Sequence, residues 1–258
     1  MGIGVLIIGD EILSGRRSDK HLVKAIELLS ARGMALDWAR YCGDDRARLV
    51  ETLQQSFATG DLVFSFGGIG ATPDDHTRQA AAAALGLEIA LHPEAAALIR
   101  AAILERRGVE ANAMQLAMGE FPLGSTIIPN PFNQIPGFAI REHWFLPGFP
   151  QMSWPMMEWV LDTHYAHLHH ARSWAESSIA VLDTNESSLI ELMRDLESRF
   201  GVTVFSLPNL GGEGVPRHID LGAKGEPEAV EAAMAAMRAA LSTRGAPWCE
   251  LHALPSAD

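Results

Sequence analysis

The feature that most constrains this chain is the alternation of short apolar runs with helical segments over residues 3–85. Residues 3–9 form an unbroken apolar run, which suits a strand buried on both faces of a parallel sheet. Ser18 and Asp19 then cap a helix carrying Leu22, Val23, Ile26 and Leu29 at helical spacing, and Gly33 stops it. Residues 34–41 read as a second strand, Asp44 as the N-cap of a second helix to Phe57, and residues 62–66 as a third strand. A third helix, residues 75–85, follows at once. Strands alternating with helices of this length build βαβ units, so the sheet is mostly parallel with helices on both faces.

Further along, residues 93–107 read as a helix, 125–128 and 143–146 as strands, and 150–161 as a helix rich in Met and Trp. After the histidine-rich stretch 164–170 the pattern restarts. Strands at 177–182, 202–207 and 218–221, with helices at 186–200 and 227–241, make a small α+β unit. The expected division is therefore a larger α/β domain over residues 1–168 and a smaller one over 169–258. A chain of 258 residues has ample material for this. It buries roughly 70% or more of the surface its unfolded form exposes, without disulfide or metal staples.

The formal net charge of −12 repels nucleic-acid backbones, so no nucleic-acid partner is expected. It also means that an anionic ligand has to be held by local devices such as backbone N–H groups, helix N-termini, a few arginines or a metal ion. The first residues lack a basic leader, and Asp10 and Glu11 interrupt the first apolar run, so no signal peptide or membrane span is expected. Cys42 and Cys249 have no metal or redox spacing and read as packed thiols. A cytoplasmic protein follows from these readings.

In an open parallel sheet, ligands bind outside the carboxyl ends of the strands. Three loops leave such ends here: residues 9–15, 43–45 and 66–77. In the third, Gly67, Gly68 and Gly70 allow the backbone to approach a ligand and aim N–H groups at it, and a helix begins immediately afterwards. The competing reading needs no ligand: Thr72 as N-cap, Pro73 as first helical residue and Asp75 three positions on resemble a capping box. Asp74 and Asp75 place negative charge where a phosphate would sit, and Asp10, Glu11 and Asp44 approach the same rim. Carboxylates beside a bed of amides suit an Mg²⁺-bridged diphosphate.

These loops resemble a known family, the MoaB/Mog-type molybdopterin-binding domain, and within it the N-terminal part of the CinA competence/damage-inducible proteins. The resemblance rests on Gly9-Asp-Glu-Ile-Leu-Ser-Gly15, on Gly43-Asp44, and on the glycines and acids of residues 67–77. It extends to Pro129-Asn130-Pro131, Pro136-Gly137-Phe138 and Leu146-Pro147-Gly148-Phe149-Pro150, and covers residues 1–165. It implies a three-layer α/β/α fold that binds a pterin diphosphate or an adenine nucleotide. Asp44 and Asp75 match the two aspartates of Mg²⁺-dependent adenylyl transfer, with Asp10, Glu11 and Asp74 as further metal ligands. Gly9, Ser14, Gly67, Gly68, Gly70, Thr72, Thr77, Asn130, Pro147 and Gly148 fall at ligand-contact positions. The implied assembly is a dimer or trimer.

Three readings of function follow from the resemblance: divalent-metal-assisted cleavage of an ADP-ribose-like substrate, molybdopterin binding or adenylation, or a non-catalytic ligand-binding module. The chain departs from the pattern at several places. His21 stands where the family has Asn, Asp74 where the Mog pattern has Arg, and Phe149 and Met152 where it has Pro and Glu. The C-terminal amidohydrolase domain of full-length CinA is not expected. Outside the resemblance, the run His164, His167, His169 and His170 reads as a solvated linker rather than a zinc site. Residues 211–214 read as a turn, and Met152, Met156 and Met157 read as core.

Overall fold

The computed structural model describes residues 1–171, 175–212 and 214–254. The chain forms two compact units, Met1–His169 and His170–Asp258.

In the first unit the helices are α1 (Asp10–Leu13), α2 (His21–Ser30), α3 (Arg46–Thr59), α4 (Thr77–Leu85), α5 (Pro93–Arg107), α6 (Ala113–Leu116) and α7 (Pro150–His164). The strands are β1 (Ile3–Ile8), β2 (Trp38–Cys42), β3 (Leu62–Phe66), β4 (Ile89–Leu91), β5 (Glu120–Pro122), β6 (Thr126–Ile128), β7 (Gly137–Ile140) and β8 (His143–Leu146). Six of them form one sheet in the order β2-β1-β3-β8-β7-β6, with β2, β1, β3 and β8 parallel and β7 and β6 antiparallel at one edge.

Strand β1 is buried along its whole length because its side chains feed two cores. Ile3, Val5 and Ile7 pack with Leu28 and Leu29 of α2 and Met156, Met157 and Leu161 of α7. Leu6 and Ile8 face the other way, toward Leu49 and Leu53 of α3 and Ala80 and Ala81 of α4. Successive strand residues point to opposite faces, so an unbroken apolar run fills both sides and gives three layers, helix, sheet and helix. On the α3–α4 side Phe121, Phe138 and Phe145 stack in a row, with centroids 4.8 and 4.4 Å apart.

Several local expectations need correction. Helix α2 turns His21, Ala25, Leu28 and Leu29 inward, which leaves Val23 and Ile26 exposed rather than in the core. The ring of His21 takes the inward place because it stacks on Phe66 at 4.6 Å. Strand β2 begins at Trp38, not residue 34, since register with β1 starts at Gly4 opposite Trp38. The cap of α3 is Asp45, whose carboxylate accepts from the Arg48 N–H at 2.9 Å, and not Asp44. Met156 and Met157 are core residues, whereas Met152 lies only at its margin. His164 ends α7 with its ring against Trp144, and the His169 ring meets the Leu161 carbonyl at 3.1 Å, so these histidines are not a free linker.

The second unit contains β9 (Ala175–Leu182), α8 (Ile190–Phe200), β10 (Thr203–Asn209), β11 (His218–Gly225), α9 (Pro227–Thr243) and β12 (Trp248–Glu250). Its antiparallel sheet, β10-β11-β9-β12, packs Ile179, Val181, Leu221 and Ala223 against Leu192, Leu196, Met234 and Met237 of the two helices. Gly212 and Val215 bridge a turn between β10 and β11, whose Glu213 lies outside the described residues. No described helix is long and apolar enough to cross a membrane.

Candidate functional site

The sheet order places β1 between β2 and β3, so the β1–β2 and β2–β3 connections run in opposite directions across the sheet and the loops after β1 and β3 part. A crevice at the carboxyl ends of the strands is the expected result.

The loop after β3 is bent over the end of β1. Gly67 and Gly68 have φ of +104° and +69°. A Cβ on Gly67 would lie 2.3 Å from the Ile8 carbonyl oxygen, and one on Gly68 would lie 2.1 Å from Thr77 Oγ1. Thr77 is fully buried beneath the loop, where its hydroxyl donates to the Gly67 carbonyl at 3.1 Å and its N–H to the Gly68 carbonyl at 3.0 Å. Thr77 therefore shapes the loop and does not face a ligand. Buried Arg78 continues the clamp, with Nη2 donating to the Gly70 carbonyl at 2.6 Å and Nη1 to the Ala117 carbonyl. Burial pushes the Arg78 guanidinium down from its ordinary value, while the charges of Asp75 and Glu120 oppose the shift.

The consequence is a row of backbone donors without partners. Among the described residues, the N–H groups of Gly68, Ile69, Gly70 and Ala71 donate to no protein acceptor. Ile69 is buried, Gly68 and Gly70 are half-buried and Ala71 is exposed, and a run of backbone donors without protein partners beside a cavity is suited to an anion.

The capping box expected at Thr72 is a closed turn ahead of the helix. Asp75 Oδ2 accepts from the Thr72 N–H at 2.8 Å and from its hydroxyl at 2.5 Å, but α4 starts only at Thr77. The helix begins late because Thr77 and Arg78 have to turn inward to hold the loop.

A cavity of about 710 Å³ lies against these groups. Of the residues named from sequence, Glu11, Gly68, Gly70, Thr72, Asp74 and Asp75 line it, as do Asn130, Pro147 and Gly148. Asn130 spends its amide on Asn133 and the Ile135 carbonyl, so it organises its own loop as well. Gly9, Ser14 and Gly67 are not among the lining residues. The Gly9 N–H goes to the Cys42 carbonyl, and the Ser14 hydroxyl accepts from Arg16 Nε. Asp10 and Asp44 tie two loops together instead. The Asp10 N–H donates to Asp44 Oδ2 at 2.8 Å, and the Asp44 N–H to Asp10 Oδ1 at 3.2 Å. Burial raises the Asp44 pKa; the Asp10 N–H pulls it back, and the charges of Asp10, Glu11 and Asp74 add to the rise.

Among the described residues, no three His, Cys, Asp or Glu side chains come together as a metal-binding group. Of the carboxylates expected to hold Mg²⁺, Asp10, Asp44 and Asp75 accept from loop N–H groups, and with Glu11 and Asp74 they do not converge as a ready metal site.

Sequence reasoning missed Arg16 and Arg17, which line the cavity. Neither forms an ion pair among the described residues. The available signal was two adjacent cations in an acidic chain, directly after a predicted ligand loop.

Residues 4–167 match the family described as a probable molybdopterin binding domain. The chain belongs to that family. Relatives of this molybdopterin-binding domain include a CinA-like protein of Anaeromyxobacter sp., 34% identical over 172 residues, which are 64% of this chain and 42% of that protein. A CinA-like protein of Desulforapulum autotrophicum is 30% identical over 210 residues, 78% of this chain and 49% of the other. The chain thus spans about half the length of these curated relatives. A crystal structure of a CinA protein of unknown function from Thermoplasma acidophilum aligns at a TM-score of 0.56 with 25% identity, covering 63% of this chain and 98% of that one.

Three departures from the family pattern lie in or beside the cavity of this molybdopterin-binding domain. Phe149 lines it with its ring largely exposed, and Met152 lines it while its sulfur accepts from Asn133 Nδ2 at 3.4 Å. His21 Nε2 lies 3.1 Å from the Gly148 carbonyl. A carbonyl only accepts, so Nε2 carries the hydrogen, and burial pushes the ring's pKa down and favours its neutral form.

Proposed function

We propose that the cavity binds a phosphorylated nucleotide or pterin and cleaves the diphosphate of an ADP-ribose-like substrate. The observation that carries this reading is the run of four unpartnered amides, Gly68 to Ala71, on the cavity wall. Such a bed stabilises charge developing on phosphoryl oxygens without rearranging during the reaction. Arg16 and Arg17 add two positive charges at the same cavity.

In the proposed hydrolysis a water oxygen bonds to one phosphorus while the bridging phosphorus–oxygen bond breaks, yielding AMP and ribose 5-phosphate. Asp75 has its Oδ2 held by Thr72, which leaves Oδ1 to accept the water proton. Asp44 steadies the neighbouring loop through the Asp10 N–H. Among the described residues the acidic side chains do not converge as a metal-binding group, so the step is carried by Asp75, the loop amides and the two arginines.

Incubation with ADP-ribose, with a divalent ion and separately with EDTA, tests turnover. AMP release above an Asp75→Ala control supports the reading, and no release under either condition overturns it. The family description favours a second reading, molybdopterin binding in cofactor assembly. It predicts a rise in melting temperature on adding the pterin, and an unchanged melt contradicts it. Met152, standing where the family pattern has a carboxylate, favours a module that binds without turnover; bound nucleotide with no product would identify that case.

A further inference from the structure

The main cavity does not stand alone. A second cavity of about 490 Å³ adjoins it, and Glu11, Arg17, Gly148 and Phe149 line both. The two differ in chemistry. Beyond its phosphate loop, the first is walled by Met118, Ile135, Pro136 and Met152, a largely apolar surface suited to a flat heterocycle. The second is walled by Ser18, Lys20 and Gln151, a hydroxyl, an ammonium and an amide suited to a polyhydroxylated group bearing negative charge.

Where the cavities meet, Arg17 is exposed and makes no ion pair among the described residues; Lys20, which lines the second cavity alone, is likewise exposed and without an ion pair among them. The junction is also braced. His21 lines the second cavity, is 7% exposed, and holds the Gly148 carbonyl through Nε2, while its Nδ1 is buried without a partner.

We propose that the two cavities form one groove for an elongated diphosphate, with the heterocycle against the apolar wall of the first, the diphosphate between the Gly68–Ala71 amides and Arg17, and a sugar-like arm beside Lys20. This rests on the diphosphate reading above and extends it by assigning the second cavity as the subsite that separates a nucleoside diphosphate sugar from a simple nucleotide. Lys20 and Ser18 are the specificity-determining residues of that subsite. Arg17 contributes to both ligands because it lies at the junction.

Calorimetric titration of the full chain in EDTA with adenosine, ADP and ADP-ribose tests the assignment, using wild type, Lys20→Ala and Arg17→Ala. The expected order is ADP-ribose tighter than ADP by about tenfold, with adenosine weakest. Lys20→Ala should narrow the gap between ADP-ribose and ADP by about twofold to fivefold, the effect of losing a charged contact at an exposed site. Arg17→Ala should weaken both. Equal wild-type affinity for ADP and ADP-ribose, or a gap that Lys20→Ala leaves intact, overturns the groove while nucleotide binding stands. Failure of all three compounds to bind overturns the diphosphate reading together with this one.

Discussion

Gly68 has both a steric and a conformational reason to be glycine. At φ +69° any Cβ would lie 2.1 Å from the Thr77 hydroxyl that holds the loop. Gly68→Ala should cost about 1–3 kcal/mol in a denaturant melt and weaken nucleotide binding, because relief of the clash moves the amides; wild-type stability in the variant would contradict the clamp. His143 makes a different prediction. Burial, helped by the charge of Arg141, pushes its pKa down to about 3. An unfolded histidine titrates near 6.5. Between those values the unfolded chain binds a proton the folded chain refuses, so stability falls as pH drops from about 6.5 toward 3. Melting temperatures from pH 7 to 4 should fall less steeply for His143→Gln than for wild type, and parallel curves would refute the assignment. The glycines of the loop were legible because their spacing stands out in sequence. That Thr77 and Asn130 are spent on loop carbonyls was not legible, since hydrogen-bond partners depend on how the chain turns.

At the scale of elements, β1, β3 and the proline-marked starts of α5, α7 and α9 follow from apolar runs and helical spacing, but the starts of α3, α4 and α8 do not. Asp44 and Asp45 are equivalent as capping candidates in sequence, and only the geometry gives the cap to Asp45 and the loop tie to Asp44. Asp45→Ala should cost about 1 kcal/mol through lost capping of α3. Asp44→Ala should leave that cap in place, and equal losses in chemical melts with α3 amide exchange unchanged in both variants would contradict the division. Strands β4, β5, β7 and β12, of three or four residues each, escaped the sequence reading, although β6 and β8 are as short and were read. The exposed Val23 and Ile26 show the related ambiguity of a helix whose apolar stripe is wider than its buried face.

At the scale of the molecule, each unit has hydrophobic clusters of its own among the described residues, two in Met1–His169 and one in His170–Asp258. Residues 1–169 expressed alone should therefore fold, with cooperative melting and sharp amide spectra; a molten or aggregated product would show that the first unit lacks an independent core. The acidic net charge, legible in composition, gives no general positive field, so the proposed anion site depends on the loop amides and the two arginines. The most direct measurement of that central claim is the amide spectrum of ¹⁵N-labelled protein titrated with ADP. The peaks of Gly68, Ile69, Gly70 and Ala71 should move together and saturably, ahead of those of the second unit. Saturable binding that leaves these four peaks in place would contradict the account.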